Sequence, residues 1–559
     1  MNRTWRCVAV IAWVAAMMGC VAMPAGAEER DFTQAAPEDL AWWRDARFGL
    51  FVHWGPVSLR GTEIGWSRGG ERRGTGGTGS IPVEVYDNLY KEFNPIEFNA
   101  EEWVSIAKAA GMKYLVFTSR HHDGFSMFDS KLTDYKITNS PFKRDVVAEL
   151  ADACHANGLG FGLYYSPPDW HHPDYRTENH AKFIEFLHGQ LRELCTNYGQ
   201  LDIVWFDGLG GTSEDWDSPN LIKMIRALQP HTIINNRAGL PCDFDTPEQT
   251  IGHFQNHRPW ESCITICQQW AWKPDDRLKT IEECVDTLVR CAGGDGNLLL
   301  NVGPMPTGAI EPRQVERLKE IGAWLETHGE SIYGTRGGPF QPGPWGASTY
   351  RGNRVYVHVL EWPSGSFALP PLPKRVVAAR HLGGADIRIE QTDKQITLNV
   401  PKADLEPIDT VIVFELDGPA ADIEPVKWPS GSLAEGKPAE ASNTYQNMAQ
   451  YGPQVALDDD EATRWATDAG THQAWLEVDL GETTRLGRAF ISEAFDRVRK
   501  FELQREDGPG WKAFYEGKKI GEACALRFDP VETRRVRLHI LEATEGPTIW
   551  EFRLFAPED

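Results

Sequence analysis

Seven short apolar runs recur between Arg47 and Pro304: RFGLFVHWG, KYLVFTSRHHDGF, LGFGLYYSPPDW, LDIVWFDG, TIINNRAG, ITICQQWAW and NLLLNVGP. Each ends in polar or aromatic residues. Amphipathic stretches such as AEEWVSIAKAAGM, RDVVAELADACHANG and HAKFIEFLHGQLRELCTNYG separate them, the last two closing on glycine as a helix C-terminus favours. Runs rich in β-branched and aromatic residues suit strands covered on both faces. Strand and helix alternating this often predict a parallel sheet close to an eightfold (β/α) barrel.

The pattern changes after about residue 335. RVYVHVLEW, VVAARHL, QITLNV and DTVIVFEL are strand-like runs with turns between them and read as a β-sandwich. DGPAADIEPVKWPSGS reads as a linker, and AWLEVDLG, RRVRLHIL and IWEFRLF indicate a third, all-β domain from about Leu433. The expected organisation is therefore α/β overall: a barrel over 28–335, a sandwich over 336–417, a linker over 418–432 and a last domain over 433–559.

Ahead of the barrel, a basic start (MNRTWR), an apolar stretch from Cys7 to Met23 and PAGA before EER have the parts of a secretory signal cleaved after Ala27. The chain is thus expected to be secreted or periplasmic, with lipoprotein anchoring at Cys20 in MMGC as the lesser alternative. The apolar stretch is short for a membrane span. Net charge is −23, and removing a signal with two arginines and no acid makes it −25, which speaks against a nucleic-acid partner. Eight cysteines remain without CxxC pairs, so no metal framework follows; Cys263 and Cys267 either pair or stay thiols. GTGGTG at 74–79 matches a dinucleotide fingerprint only formally. Lacking a strand before it and a helix after it, it reads as a surface loop, and no cofactor is expected.

Asp207 ends the fourth run, where parallel barrels keep their chemistry. His53, His121 and His122 also end apolar runs; imidazoles there serve as hydrogen-bond partners for hydroxyl groups or as metal ligands, but no carboxylate joins them at metal-ligand spacing. Trp54, Trp66, Trp170, Trp205 and Trp272 lie at or beyond strand ends, where a flat ring packs on a sugar face or simply fills the core. Arg237 in NNRAG is placed to bind hydroxyls or hold a carboxylate. Glycoside hydrolysis uses two carboxyl groups, one on either side of the scissile bond, and Asp207 with Glu248 in DFDTPEQ supplies such a pair. Two other classes stay open: a glycan-binding protein with a degenerate barrel, and a barrel glycosidase for a related sugar such as galactose.

WWRDARFGLFVHWG, KYLVFTSRHHDGFSMF, FGLYYSPPDW, DIVWFDG and NLLLNVGPMPTGAI, in this order over residues 42–309, resemble the α-L-fucosidases of glycoside hydrolase family 29. The resemblance implies a catalytic barrel followed by a β-sandwich, retaining chemistry on terminal fucose of a glycan, and no catalytic metal. It implies Asp207 as nucleophile, with His53, His121, His122, Tyr164, Trp205 and Arg237 holding the fucose. Where the family often shows Glu-Trp, this chain has Gly65 before Trp66, leaving open whether Glu63 substitutes. Two glutamates compete as acid/base: Glu248, whose spacing after Arg237 resembles bacterial members and which is favoured, and Glu261 in RPWESC, otherwise a residue that contacts the sugar. KPAEASNTY, ALDDDEATRW, AWLEVDLG and IWEFRLF resemble a discoidin-like (coagulation factor type C) carbohydrate-binding jelly roll. Its Asp458, Asp459, Asp460 and Glu461 form either a structural calcium site or a solvated acidic turn.

Overall fold

The computed structural model describes residues 31–362, 367–384, 386–460, 463–521 and 523–557. The expected signal and Glu461 lie outside them.

The seven apolar runs form seven strands: β1 (Phe48–Val52), β2 (Tyr114–Arg120), β3 (Gly160–Tyr165), β4 (Ile203–Phe206), β5 (Ile233–Ile234), β6 (Glu261–Thr265) and β7 (Asn297–Val302). All pair in parallel, in the order β5-β4-β3-β2-β1-β7-β6. α1 (Pro37–Ala46) precedes β1. Between β1 and β2 lie α2 (Val83–Tyr86) and α3 (Ala100–Ala109), then come α4 (Val146–Asn157), α5 (His180–Asn197), α6 (Ser218–Leu228), α7 (Ile281–Gly293) and α8 (Pro312–His328). The helix ends follow local chemistry. Asp145 caps α4 by accepting from the Ala148 amide at 3.0 Å, and Gly158 ends it with φ of 64°. Thr280 and Glu283 form a reciprocal capping box on α7.

Residues 243–249 stand where an eighth strand would. The Asp243 amide donates to the Ile234 carbonyl at 2.8 Å, while the Glu261 amide donates to the Asp245 carbonyl at 2.9 Å. The segment thereby bridges β5 and β6 and closes the barrel. Pro247 has no amide to give to a regular ladder, so closure is made by isolated bridges. The interior is filled by Phe51, Tyr114, Tyr164, Ile203, Trp205 and Leu299, with Trp43 of α1 packed on Phe244 at 4.7 Å.

Two sheets make the sandwich. One has the order β12 (Val376–His381), β15 (Thr410–Leu416), β10 (Arg354–Val359), β9 (Gly346–Arg351) and β8 (Arg336–Gly337); the other is β11 (Phe367–Leu369), β14 (Ile396–Asn399) and β13 (Arg388–Gln391). The first part of the expected linker belongs to this layer. Ile423, Val426 and Trp428 join its apolar core, and the Val426 amide donates to the Pro339 carbonyl at 2.7 Å. Three apolar side chains in a proline-rich stretch are enough to hold it down.

The last domain is a separate antiparallel sheet around its own core, which includes Trp465, Leu476, Leu538 and Phe552. Its order is β17 (Trp465–Ala466), β22 (Thr548–Phe555), β18 (Ala474–Glu493), β21 (Cys524–Ala543), β19 (Val498–Asp507) and β20 (Gly510–Gly517), with β16 (Ala439–Ala441) pairing β18. No described helix is long and apolar enough to cross a membrane, and the eight described cysteines, Cys263 and Cys267 among them, are free thiols.

Candidate active site

The C-terminal ends of β1 to β5 converge on Asp207, the residue after β4. Tyr164 of β3 donates its hydroxyl to Asp207 Oδ2 at 2.9 Å, and Arg237 Nη1, beyond β5, donates to Oδ1 at 3.2 Å. His122 Nε2 stands 3.4 Å from Oδ2. On the other side of that ring, Nδ1 lies 2.6 Å from Ser166 Oγ, whose own proton goes to the Pro168 carbonyl. Ser166 therefore accepts from Nδ1, and the His122 ring turns its other nitrogen to the Asp207 carboxylate. Burial opposes ionisation of Asp207, but the His122 hydrogen bond and the Arg237 guanidinium hold its carboxyl well below the usual range.

His53 donates from Nδ1 to Asn301 Oδ1 at 2.6 Å, and Asn301 in turn donates to the Trp270 carbonyl at 2.8 Å. Burial pushes His53 down to about 3, so the ring is neutral and its Nε2 is left as an acceptor for a hydroxyl. Burial, with the neighbouring His122 and His53, pushes His121 well below the ordinary imidazole range, and the ring stacks on Tyr164 with an interplanar angle of 5°. The Tyr164 and Trp205 rings stack at 5.6 Å, Arg237 lies over Trp205 at 4.9 Å, and Trp270 lies against His53 at 4.7 Å.

Arg237 is the hub. Its Nε and Nη2 donate to the Thr246 hydroxyl and carbonyl, both at 2.8 Å, while Nη1 reaches Glu248 Oε2 at 2.7 Å as well as Asp207. The bridging segment thus carries Glu248 to the barrel mouth, where its side chain is 42% exposed.

Glu261 lies elsewhere than either expectation for it. As the first residue of β6 it opens the strand at the opposite end of the barrel, and it is completely buried. It accepts from the Trp205 indole at 3.2 Å, the Trp43 indole at 3.3 Å and the Tyr114 hydroxyl. Burial pushes its carboxyl up to about 7 against these three donors. It supports Trp205 from below and has no path to the mouth.

Glu63 is also engaged. It accepts from the backbone amides of Trp270 at 2.9 Å and Ala271 at 3.1 Å, which pins the loop that carries Trp270. Gly65, at φ of 66°, packs directly on the histidines; a Cβ there would sit 2.7 Å from His121 Nδ1, so this backbone has no room for a glutamate. Trp66 and Trp170 stand on His122 at 5.6 and 5.1 Å. Trp54 packs instead among Phe93, Phe98 and Trp103 and is core.

Among the described residues, His121, His122 and Asp207 are the group whose ligand atoms converge closely enough for a metal. The Arg237 guanidinium on Asp207 opposes a second cation there. In the last domain, Glu551 is buried and neither of its oxygens makes a hydrogen bond of normal geometry. Burial raises its carboxyl to about 8 against Arg553, whose Nε stands 3.6 Å from Oε2, and Asp458 and Asp459 push the same way.

A family model described as Alpha-L-fucosidase matches residues 25–330, and one described as F5/8 type C domain matches residues 438–552. The chain is 32% identical to the plasma alpha-L-fucosidase of Homo sapiens over 381 residues, 61% of this chain and 80% of that protein. Alpha-L-fucosidase isoenzyme 1 from Paenibacillus thiaminolyticus has the same fold with a TM-score of 0.63 and 39% identity, covering 68% of this chain and 99% of that one. A Bacteroides thetaiotaomicron family 29 enzyme, solved as a trapped covalent intermediate with 2-fluoro-fucosyl fluoride, gives 0.61 and 27% identity over 69% of this chain and 97% of its own. Matched through the barrel and beyond by these enzymes, the chain belongs to the alpha-L-fucosidases of glycoside hydrolase family 29 and carries a C-terminal F5/8 type C domain.

Proposed function

We propose that the chain is a retaining exo-α-L-fucosidase that removes terminal α-L-fucose from glycans by double displacement. Asp207 attacks the anomeric carbon while Glu248 protonates the departing glycosidic oxygen. Glu248 then takes a proton from water, which attacks the same carbon and frees Asp207. One observation carries this reading. Arg237 Nη1 touches one oxygen of each carboxylate, which places those two oxygens within about 6 Å of one another. Retaining enzymes hold their carboxyl groups about 5–5.5 Å apart, whereas inverting enzymes leave room for a water. Below Trp205 the barrel is closed by the Glu261 network, which favours a chain terminus over a glycan that runs through. Proton NMR of the first-formed product tests the reading: α-fucose appearing before its β anomer supports it, and β-fucose first overturns it.

The N-terminal signal supports export, which N-terminal sequencing of the mature protein at Glu28 would test. The F5/8 type C domain serves as a carbohydrate-binding module, and Glu551 with its acidic neighbours supports a structural calcium there. Chelation should lower the melting temperature of that domain and added calcium restore it; indifference to both would dismiss the ion.

A further inference from the structure

The glycine-rich loop over residues 69–80 is fastened at both ends. At its base the Gly79 amide donates to the Arg68 carbonyl at 2.8 Å, the Ile81 amide to the Ser67 carbonyl at 2.9 Å, and Arg68 makes a two-pronged ion pair with Asp87 at 2.6 and 2.7 Å. Arg73 ties it across to the loop after β3, donating to the carbonyls of Pro173 at 2.9 Å, His172 at 2.7 Å and Tyr175. The position of Arg72 between these anchors is therefore set by the structure around it.

Arg72 holds its guanidinium over the rings of Trp66 and Trp170, at 5.1 and 5.4 Å. Both indoles stand against His122, so the cation sits one aromatic ring away from the side chain that faces Asp207. Its one hydrogen bond runs from Nη2 to the Trp66 carbonyl, and its Nε is buried without a partner. No carboxylate among the described residues pairs with it; burial alone acts on its charge, lowering its pKa. The side chain is partly exposed and lacks a carboxylate partner in a protein with 80 acidic against 57 basic residues. Arg72 Nη1 makes no hydrogen bond to the described residues, and a guanidinium N–H is a fitting donor to a carboxylate or sulfate oxygen.

We propose that Arg72 is a specificity residue that binds an anionic substituent, carboxylate or sulfate, carried by the fucose or by the sugar to which it is linked. The inference rests on the fucosidase reading of the pocket, and the neutral substrate below tests that reading separately. In a protein of net negative charge, a cation at the rim without a carboxylate partner favours acceptance of an anionic glycan.

The test compares kcat/KM on matched fucosylated oligosaccharides: neutral, sulfated on the fucose, and bearing a uronate next to it, for the parent enzyme, Arg72→Gln and Arg72→Lys. The parent should favour at least one anionic form over the neutral one by about 10-fold, roughly the worth of one charge-assisted pair. In Arg72→Gln that ratio should fall to near one, with Arg72→Lys between. The arm that responds identifies which sugar carries the group. If the glutamine variant does not fold, the parent alone decides: its preference should fade between low salt and about 0.5 M, where screening is strong. A parent without anionic preference, or a ratio unchanged in Arg72→Gln, overturns the proposal. Inactivity on the neutral substrate would instead reject the fucosidase reading.

Discussion

Arg237 donates one hydrogen bond to Asp207, at 3.2 Å, from a guanidinium whose other nitrogens are fixed on Thr246. The contact joins the end of β5 to the end of β4, and through Thr246 the same side chain ties the segment that completes the barrel to the site. A lysine keeps the charge but cannot hold Thr246, Glu248 and Asp207 together. Arg237→Lys should lower kcat/KM on an aryl fucoside by about 100-fold or more, on the scale of losing charge-assisted hydrogen bonds at a reacting centre. Activity within about 3-fold of the parent would show that the hub is dispensable.

The two glutamates separate kinetically. Glu248→Ala should fail most on poor leaving groups, much less on a good one, and azide should restore turnover by attacking the exposed fucosyl-enzyme. Glu261→Ala, at the closed end of the barrel, should show no azide rescue; if it does and Glu248→Ala does not, the roles are exchanged.

Glu261 also gives stability a pH dependence of known sign. Its carboxyl sits at about 7 in the folded barrel against an ordinary 4.5. A group raised on folding stabilises fully below its unfolded value, and that contribution is lost as pH rises through the folded one, here up to about 3 kcal/mol between pH 4.5 and 7. Glu261→Gln cannot titrate. Although less stable at pH 5 for want of an acceptor, it should lose less stability than the parent between pH 5 and 8 in denaturant titrations. Parallel curves would contradict the assignment.

All seven barrel strands were legible, because both-face burial writes itself as unbroken apolar runs. The closing segment was not: DFDTPEQ alternates acids with proline and pairs through isolated bridges, without a strand's pattern. The place of Glu261 is hidden for a related reason: the apolar run begins at Ile264, whereas the strand begins on Glu261 itself. Trp270 and Asn301 sit within the quoted runs, yet their orientation toward His53 depends on neighbouring strands and has no local signal. Gly65 was visible as a departure, but its closeness to His121 was not.

The last domain has its own core, and the segment ahead of it folds on the sandwich as far as Trp428. Ending the chain at residue 430 should therefore leave hydrolysis of a small fucoside within about 2-fold while reducing retention on fucosylated polymer, the loss expected when one of two linked binding units is removed. Loss of both would mean that the last domain completes the site.

Double displacement requires that Asp207 bond covalently to the sugar. Incubating Glu248→Gln with 2-fluoro-fucosyl fluoride and measuring intact mass should give one added fluorofucosyl group, and peptide mapping should place it on Asp207. An adduct on any other residue, or none on a variant that still releases fluoride, would contradict the account.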